Sequence, residues 1–346
     1  MFNLRKLVCS IASVLLAGAS FPAIAVPTAA ELIEVLDASG RAKLLAGDIV
    51  VTPRPKQETS DAGLAIALAV IVPADLSKSV QAVQAVSIED DPKLRRSVGE
   101  IKGASKGDGS HKSFAGLSFR PEEEELAKRF ALAEPGDDYN FSKEELGWLR
   151  AIREPKAQSA AKVLEVMRRV LDKRYAAYRT RGLEGIAPYA RAGGKETKPG
   201  AELASTTEQM LLLRKGIPEL YEAYRHYPAR SAEGLQHRYF WEKKTVEGQL
   251  MLSLRHEVVQ LRSDYAVIAS REYYISGQLD TYQVAIVLVP HKAGTLVTMA
   301  NQTFTQNVTG AKRFVAVRIG RSIVESNTRP IFEKVQARLG RIPAGR

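Results

Sequence analysis

Three short motifs carry residue types that could do chemistry. Gly103-Ala104-Ser105-Lys106-Gly107 fits Gly-x-Ser-x-Gly, the turn that holds a hydrolase's nucleophilic serine exposed. Such a turn needs a strand before it and a helix directly after it, whereas Asp108-Gly109-Ser110 starts no helix. His256-Glu257-Val258-Val259-Gln260 opens like a zinc-protease helix, but Gln260 stands where the second histidine belongs. The segment also alternates as a strand, which sends His256 and Glu257 to opposite faces. Asp138-Tyr139-Asn140-Phe141-Ser142 spaces oxygens like a calcium loop, yet Lys143 replaces its turn glycine and Leu149 its closing carboxylate. Asp90-Asp91 and Glu122 to Glu125 read as solvated charge at helix ends, with no spacing that selects a catalytic pair. No catalytic residue, metal site or cofactor is expected from these patterns. An envelope hydrolase using Ser105 or an unrecognised acid pair stays open as the enzymatic alternative.

Polar residues on apolar strand faces are the second kind of candidate. His256 follows Leu250, Leu252 and Leu254 on one face, so it sits satisfied in the core or lines a cavity. Gln283 shares a face with Ala285 and Val287, and Asn301 with Val297 and Met299. Eleven of the twelve tyrosines fall between Tyr175 and Tyr282, often beside arginine. An apolar body with a polar tip suits a ligand pocket, and it suits ordinary strand and helix packing as well. His256, Gln283, Asn301, Tyr273 and Tyr282 form the candidate ligand-binding set.

These residues need elements to position them. Thr28 caps a short helix with Glu31 three residues on, and Gly47 to Thr52 is a strand candidate. Gly63 to Val72 reads as a buried strand closed by Pro73, and a helix follows to Val86. Short strands are expected near Ser97 and Phe114, and helices over 121–132, Ser142 to Ile152, Ala157 to Tyr178, Glu202 to Arg214 and Pro218 to Arg225. Five alternating runs then form an antiparallel meander: His237–Lys244, Gln249–Leu261, Tyr265–Ile275, Thr281–Val289 and Thr295–Phe304. A helix from Thr309 to Leu339 closes the chain, with a kink expected at Pro330.

A strand and helix at 63–86, then a meander and long C-terminal helix at 237–339, is an order that resembles the START-like (helix-grip) superfamily. The fold class is therefore α+β, a meander with a long C-terminal helix plus a large helical insertion. The boundaries are 26–86 for the first part of the sheet domain, 87–235 for the insertion and 236–346 for the meander and final helix. The resemblance implies that a lipid or other hydrophobic ligand is bound or transferred without covalent chemistry.

Residues 1–25 have the three parts of an export signal: Arg5-Lys6, an apolar run from Leu7 to Ala17, and Ala23-Ile24-Ala25 for cleavage. Cys9, the single cysteine, lies inside it, so a chain processed at Val26 has no thiol. Processing takes two of the 50 Lys/Arg and none of the 39 acids, leaving a net charge of +9. Export argues against nucleic acid as partner and points to a periplasmic or secreted protein, whose basic charge serves solubility or meets an anionic envelope surface. No stretch is apolar for the roughly 20 residues that a membrane span needs. An assembly or interaction factor docking an anionic partner is the other non-enzymatic alternative.

Overall fold

The computed structural model describes residues 26–52, 63–88, 96–110, 112–136, 138–153, 159–246, 248–277, 279–304 and 329–342. The export segment, Asp90-Asp91 and residues 309–328 of the expected last helix lie outside them. In chain order the elements are α1 (Ala29–Glu34), α2 (Ala38–Leu45), β1 (Val50–Val51), β2 (Gly63–Val72), α3 (Leu76–Ser87) and β3 (Ser97–Glu100). There follow α4 (Glu124–Lys128), α5 (Lys143–Ala151), α6 (Ala160–Arg181), β4 (Tyr189–Ala190), β5 (Glu196–Thr197), α7 (Pro199–Glu208), α8 (Leu211–Gly216) and α9 (Pro218–Arg225). The meander is β6 (Leu235–Val246), β7 (Gln249–Leu261), β8 (Ala266–Ile275), β9 (Thr281–His291) and β10 (Gly294–Phe304), and residues 329–339 form α10.

The class is α+β around one large antiparallel sheet, in the order β1-β2-β10-β9-β8-β7-β6-β3. The meander pairs in sequence because its turns are short. Gly248 supplies the positive φ of 77° that the tight β6–β7 hairpin requires. The apolar β2 returns to pair with β10, Val72 opposite Thr295. One register shift, between Leu254 and Arg255, leaves Tyr273 without a partner across the strand. A bulge of this kind lets Tyr273 and its neighbour Tyr274 reach the same core.

Alternation gives the sheet two apolar faces. Leu68, Val70 and Val72 of β2, Val284, Ile286 and Leu288 of β9, and Val297 and Met299 of β10 meet Val80, Val83 and Val86 of α3 and Phe332 and Val335 of α10. The opposite face packs on α4 to α6 toward β6 and β7, and on α1, α2, α8 and α9 toward β2 and β9. The helices of 102–225 thus cover the face turned away from α10, and β3, just before them in the chain, extends the sheet by pairing with β6.

Local differences from expectation have local causes. Phe114 lies in a 3-10 turn, not a strand, because its ring is buried edge-on against Tyr175. The 121–132 helix is broken into a 3-10 turn, α4 and a second 3-10 turn. The expected 202–214 helix splits after α7, where Thr206 and Thr207 turn their hydroxyls back onto the carbonyl of Leu203. Pro330 is the second described residue of α10, and the expected kink involves the segment before it, which lies outside the described residues. Of the described helices, none is long and apolar enough to cross a membrane.

Candidate functional site

Register brings four polar side chains into one row across the sheet: Tyr239 opposite His256, His256 opposite Arg271, and Arg271 opposite Gln283. The row faces α6, α7 and α9, and His256, Arg271 and Gln283 are fully buried. Tyr273 belongs to this face, its ring stacked 3.9 Å from that of Tyr178. Asn301 and Tyr282 do not. They lie on the face covered by α3 and α10, since Asn301 pairs with Val284 and not with Gln283. The five expected residues therefore do not converge on one cavity.

Their surroundings separate them further. Gln283 is bonded by α7: its amide nitrogen donates to Thr206 Oγ1 and its carbonyl accepts from Thr207 Oγ1 at 3.1 Å. Asn301 is buried, with the Tyr282 hydroxyl as its near polar neighbour on that face. Burial, then the charge of Glu272, pushes the Tyr282 hydroxyl up to about 12. His256 is bonded on both ring nitrogens, Nδ1 to Tyr178 Oη at 2.7 Å and Nε2 to His237 Nδ1 at 2.9 Å. Tyr239 lies parallel to it at 4.6 Å, and Tyr227 covers it at 4.5 Å. His256 is thus a satisfied core histidine one hydrogen bond below the surface.

The surface end of that contact is an open cleft of about 510 Å³, lined by Glu100, Lys102, Gly103, Arg179, Tyr227, His237, Arg238 and Tyr239. Hydrogen bonds fix its walls to α6. Arg179 Nη1 donates to Tyr175 Oη at 2.7 Å, and Tyr175 Oη donates to the Gly103 carbonyl at 2.6 Å. Tyr227 and Tyr239 share a hydroxyl contact at 2.6 Å. Lys102 and Arg238 both pair with Glu100, while Arg179 stacks over Tyr239 at 4.5 Å and pairs with no acid among the described residues.

Arg271 lies in the interior of the same row. It donates from Nη2 to the Tyr224 carbonyl at 2.6 Å and stacks over the Tyr224 ring at 3.6 Å. Its Nε and Nη1 make no well-aligned hydrogen bond, the Tyr178 and Tyr224 hydroxyls lie beside the guanidinium, and no carboxylate pairs with it among the described residues. Burial opposes this charge, and the phenolic oxygens of Tyr224 and Tyr178 more than offset that, so Arg271 stays protonated. Burial, followed by His237, Arg271 and Arg179, holds His256 well below the ordinary histidine value of 6.5. Burial and Arg179 lower His237 too.

The sign of the resulting pH dependence follows. A histidine whose pKa is depressed by folding takes up its proton more readily in the unfolded chain. Stability is complete above about pH 6.5 and falls as pH drops below it. We expect a denaturation midpoint that declines from neutral pH toward pH 5. His256→Leu should flatten that decline and cost about 1–3 kcal/mol at neutral pH, because Tyr178 and His237 lose a buried partner. An unchanged slope in urea titrations of the variant would transfer the effect to another group.

The catalytic motifs dissolve on inspection. Ser105 bonds to the buried Asp172 carboxylate of α6 and accepts the Gly107 N–H at 3.0 Å, so it ties down a loop. No helix follows it directly. Ser105→Ala should lower stability by about 1–3 kcal/mol and leave ligand binding unchanged; a binding loss above tenfold would reverse this assignment. His256 and Glu257 do face opposite ways, Glu257 meeting Arg238 at 3.3 Å. Asn140 is occupied by Arg191 and the Leu279 carbonyl, and Ser142 caps α5. Among the described residues no three His, Cys, Asp or Glu side chains gather as for a metal.

No known family profile matches the chain. No curated protein does either. Among solved structures it is similar to the crystal structure of Ara h 8.0201, at 10% identity and a TM-score of 0.22, over 30% of this chain and 65% of that one. The match spans slightly less than two thirds of that protein's length. At this TM-score the likeness carries no argument about ligand or activity.

Sequence reasoning missed His237, Arg179, Tyr227 and Arg271. Arg271 had a readable signal: it interrupts the inward apolar series Val267, Ala269, Tyr273 of a fully buried strand. The other three come from separate elements and meet only through the tertiary fold.

Proposed function

We propose that the protein binds a small amphipathic molecule, such as a lipid or another hydrophobic ligand, in the cleft between α6, the Glu100–Gly103 segment and β6, without covalent chemistry. The observation that carries this reading is the lining itself: two tyrosine rings joined by their hydroxyls, with cations and one imidazole at their edge. A cleft of about 510 Å³ is of ligand size, and charged and polar side chains surround its two rings. The frame is read as helix-grip-like, because β2–α3 precedes the meander and α10 joins α3 on one of its faces. The export signal read in residues 1–25 supports a role in the cell envelope, with the periplasm favoured over full secretion and an anionic envelope surface as a further contact.

Native mass spectrometry of protein purified from its own host tests the reading. A co-purified small molecule should be present on the native chain and absent from Tyr227→Ala. A bound protein in its place would favour docking, and a broad esterase screen with clear turnover would favour a hydrolase. N-terminal sequencing should find Val26 first; intact Met1 on exported material would remove the envelope assignment.

A further inference from the structure

We infer that the ligand of this cleft carries an anionic oxygen head group, carboxylate or phosphate, which Arg179 pairs with and the Nε2–H of His237 bonds. This rests on the reading of the cleft as a ligand site and names what the site selects.

The charge inventory comes first. Of the ionised groups lining the cleft, Glu100 is the one acid and already meets Lys102 and Arg238, at 3.7 and 3.5 Å. Arg179 brings a half-buried cation with no acid partner among the described residues. Beneath it, Arg271 is a second cation with no paired carboxylate among those residues, held in the interior. Two uncompensated positive charges on one side of the sheet favour an anion at the cleft, and a site walled by protein screens that attraction less than open surface does.

The hydrogen-bond chain adds a direction. Arginine has donors and no acceptor, so the Arg271 guanidinium beside Tyr178 turns the phenolic proton away from itself. The Tyr178 O–H then donates to His256 Nδ1. A neutral imidazole carries one proton, which leaves it on His256 Nε2, and that N–H donates to His237 Nδ1. His237 in turn carries its proton on Nε2, the nitrogen left for the cleft. The buried arginine thus sets the tautomer of a surface histidine through two intermediates and makes it a donor. Tyr178, His256 and Arg271 are positioning residues that need not touch the ligand.

Calorimetric titration with decanoate, decyl phosphate, decanol and inorganic phosphate tests the inference. The native chain should bind the two anionic amphiphiles at least about tenfold tighter than decanol, the scale of one charge-assisted hydrogen bond. Arg179→Met keeps the aliphatic stem and should remove that preference while leaving decanol binding in place. Tyr178→Phe keeps the stacked ring and should weaken anion binding by a smaller factor. Nitrogen-15 spectra of the ligand-free native chain should show the Nε2–H tautomer at His237 and a mixture in Tyr178→Phe. Equal affinity for decanol and decanoate, an Arg179→Met chain with unchanged anion preference, or an Nδ1–H tautomer at native His237 would overturn the inference while the cleft remains a ligand site. If inorganic phosphate binds as tightly as decyl phosphate, the head-group assignment holds and the amphiphile reading fails. If none of the four binds, both fail.

Discussion

Replacing Gly182 by alanine will cost the protein about 3–5 kcal/mol and open the cleft wall. Gly182 ends α6 at a φ of 58°, a conformation that L-residues adopt at a cost of order 1–3 kcal/mol. The steric problem is larger. A Cβ there would lie 1.8 Å from the Tyr227 carbonyl oxygen and 2.9 Å from its carbonyl carbon. Both atoms are backbone, so no rotamer change relieves the overlap, and either α6 or the segment after α9 must shift. Moving Tyr227 separates its ring from Tyr178 and His256 and its hydroxyl from Tyr239. Urea unfolding should report the stability loss, and the near-ultraviolet tyrosine signal should report the displaced rings. A loss below about 1 kcal/mol would mean that Tyr227 is held loosely and that the cleft wall adapts.

Glu145→Ala should cost a similar amount by a different route, about 3–5 kcal/mol. Glu145 accepts from Arg174 Nε at 2.7 Å and Nη2 at 2.6 Å, both side chains being under 5% exposed. The same carboxylate accepts the Ser142 N–H at 2.7 Å and so closes the capping box of α5. Its removal strands a guanidinium between Tyr274 and Tyr189, with the Ala187 carbonyl as a single long acceptor at 3.3 Å. The double replacement Glu145→Leu with Arg174→Met removes both charges and should recover more than half of the loss, since an apolar pair of similar volume avoids the desolvation cost. Equal losses for the single and double variants in denaturant titrations would show that packing, and not the stranded charge, dominates.

The strands were legible because each apolar run is closed by turn residues and buried on at least one side. Gln249–Leu261 and Gly63–Val72 are bounded as expected, and Leu68 to Val72 are buried. The capping boxes at Thr28 and Ser142 gave two helix starts for the same local reason: the residues that satisfy the free N–H groups lie within one turn. Helix ends set by distant contacts were not legible. Nothing near Gln209 announces that Thr207 will spend its hydroxyl on Leu203 and meet Gln283 across the interior.

The site divides along the same line. On β7, β9 and β10 the polar residue on an apolar face was legible, at His256, Gln283 and Asn301, whereas Arg271 of β8 was missed. Which faces coincide was not, because alternation gives a parity within one strand and no phase between two. The two-residue turn at Lys292-Ala293 sets that phase, placing Gln302 opposite Gln283 and sending Asn301 to the α10 side. The sequence by itself determined an α+β chain with an antiparallel meander and no complete catalytic motif, since local periodicity and turn chemistry decide those. Only the tertiary structure decided where the chemistry lies. Arg179 of α6, Tyr227 after α9 and His237 of β6 are brought to one cleft by the packing of 102–225 on the sheet, and Arg271 keeps its charge because Tyr178 of α6 and Tyr224 of α9 arrive beside it. Burial and pairing between distant segments fix these relations, and no short window of sequence contains either.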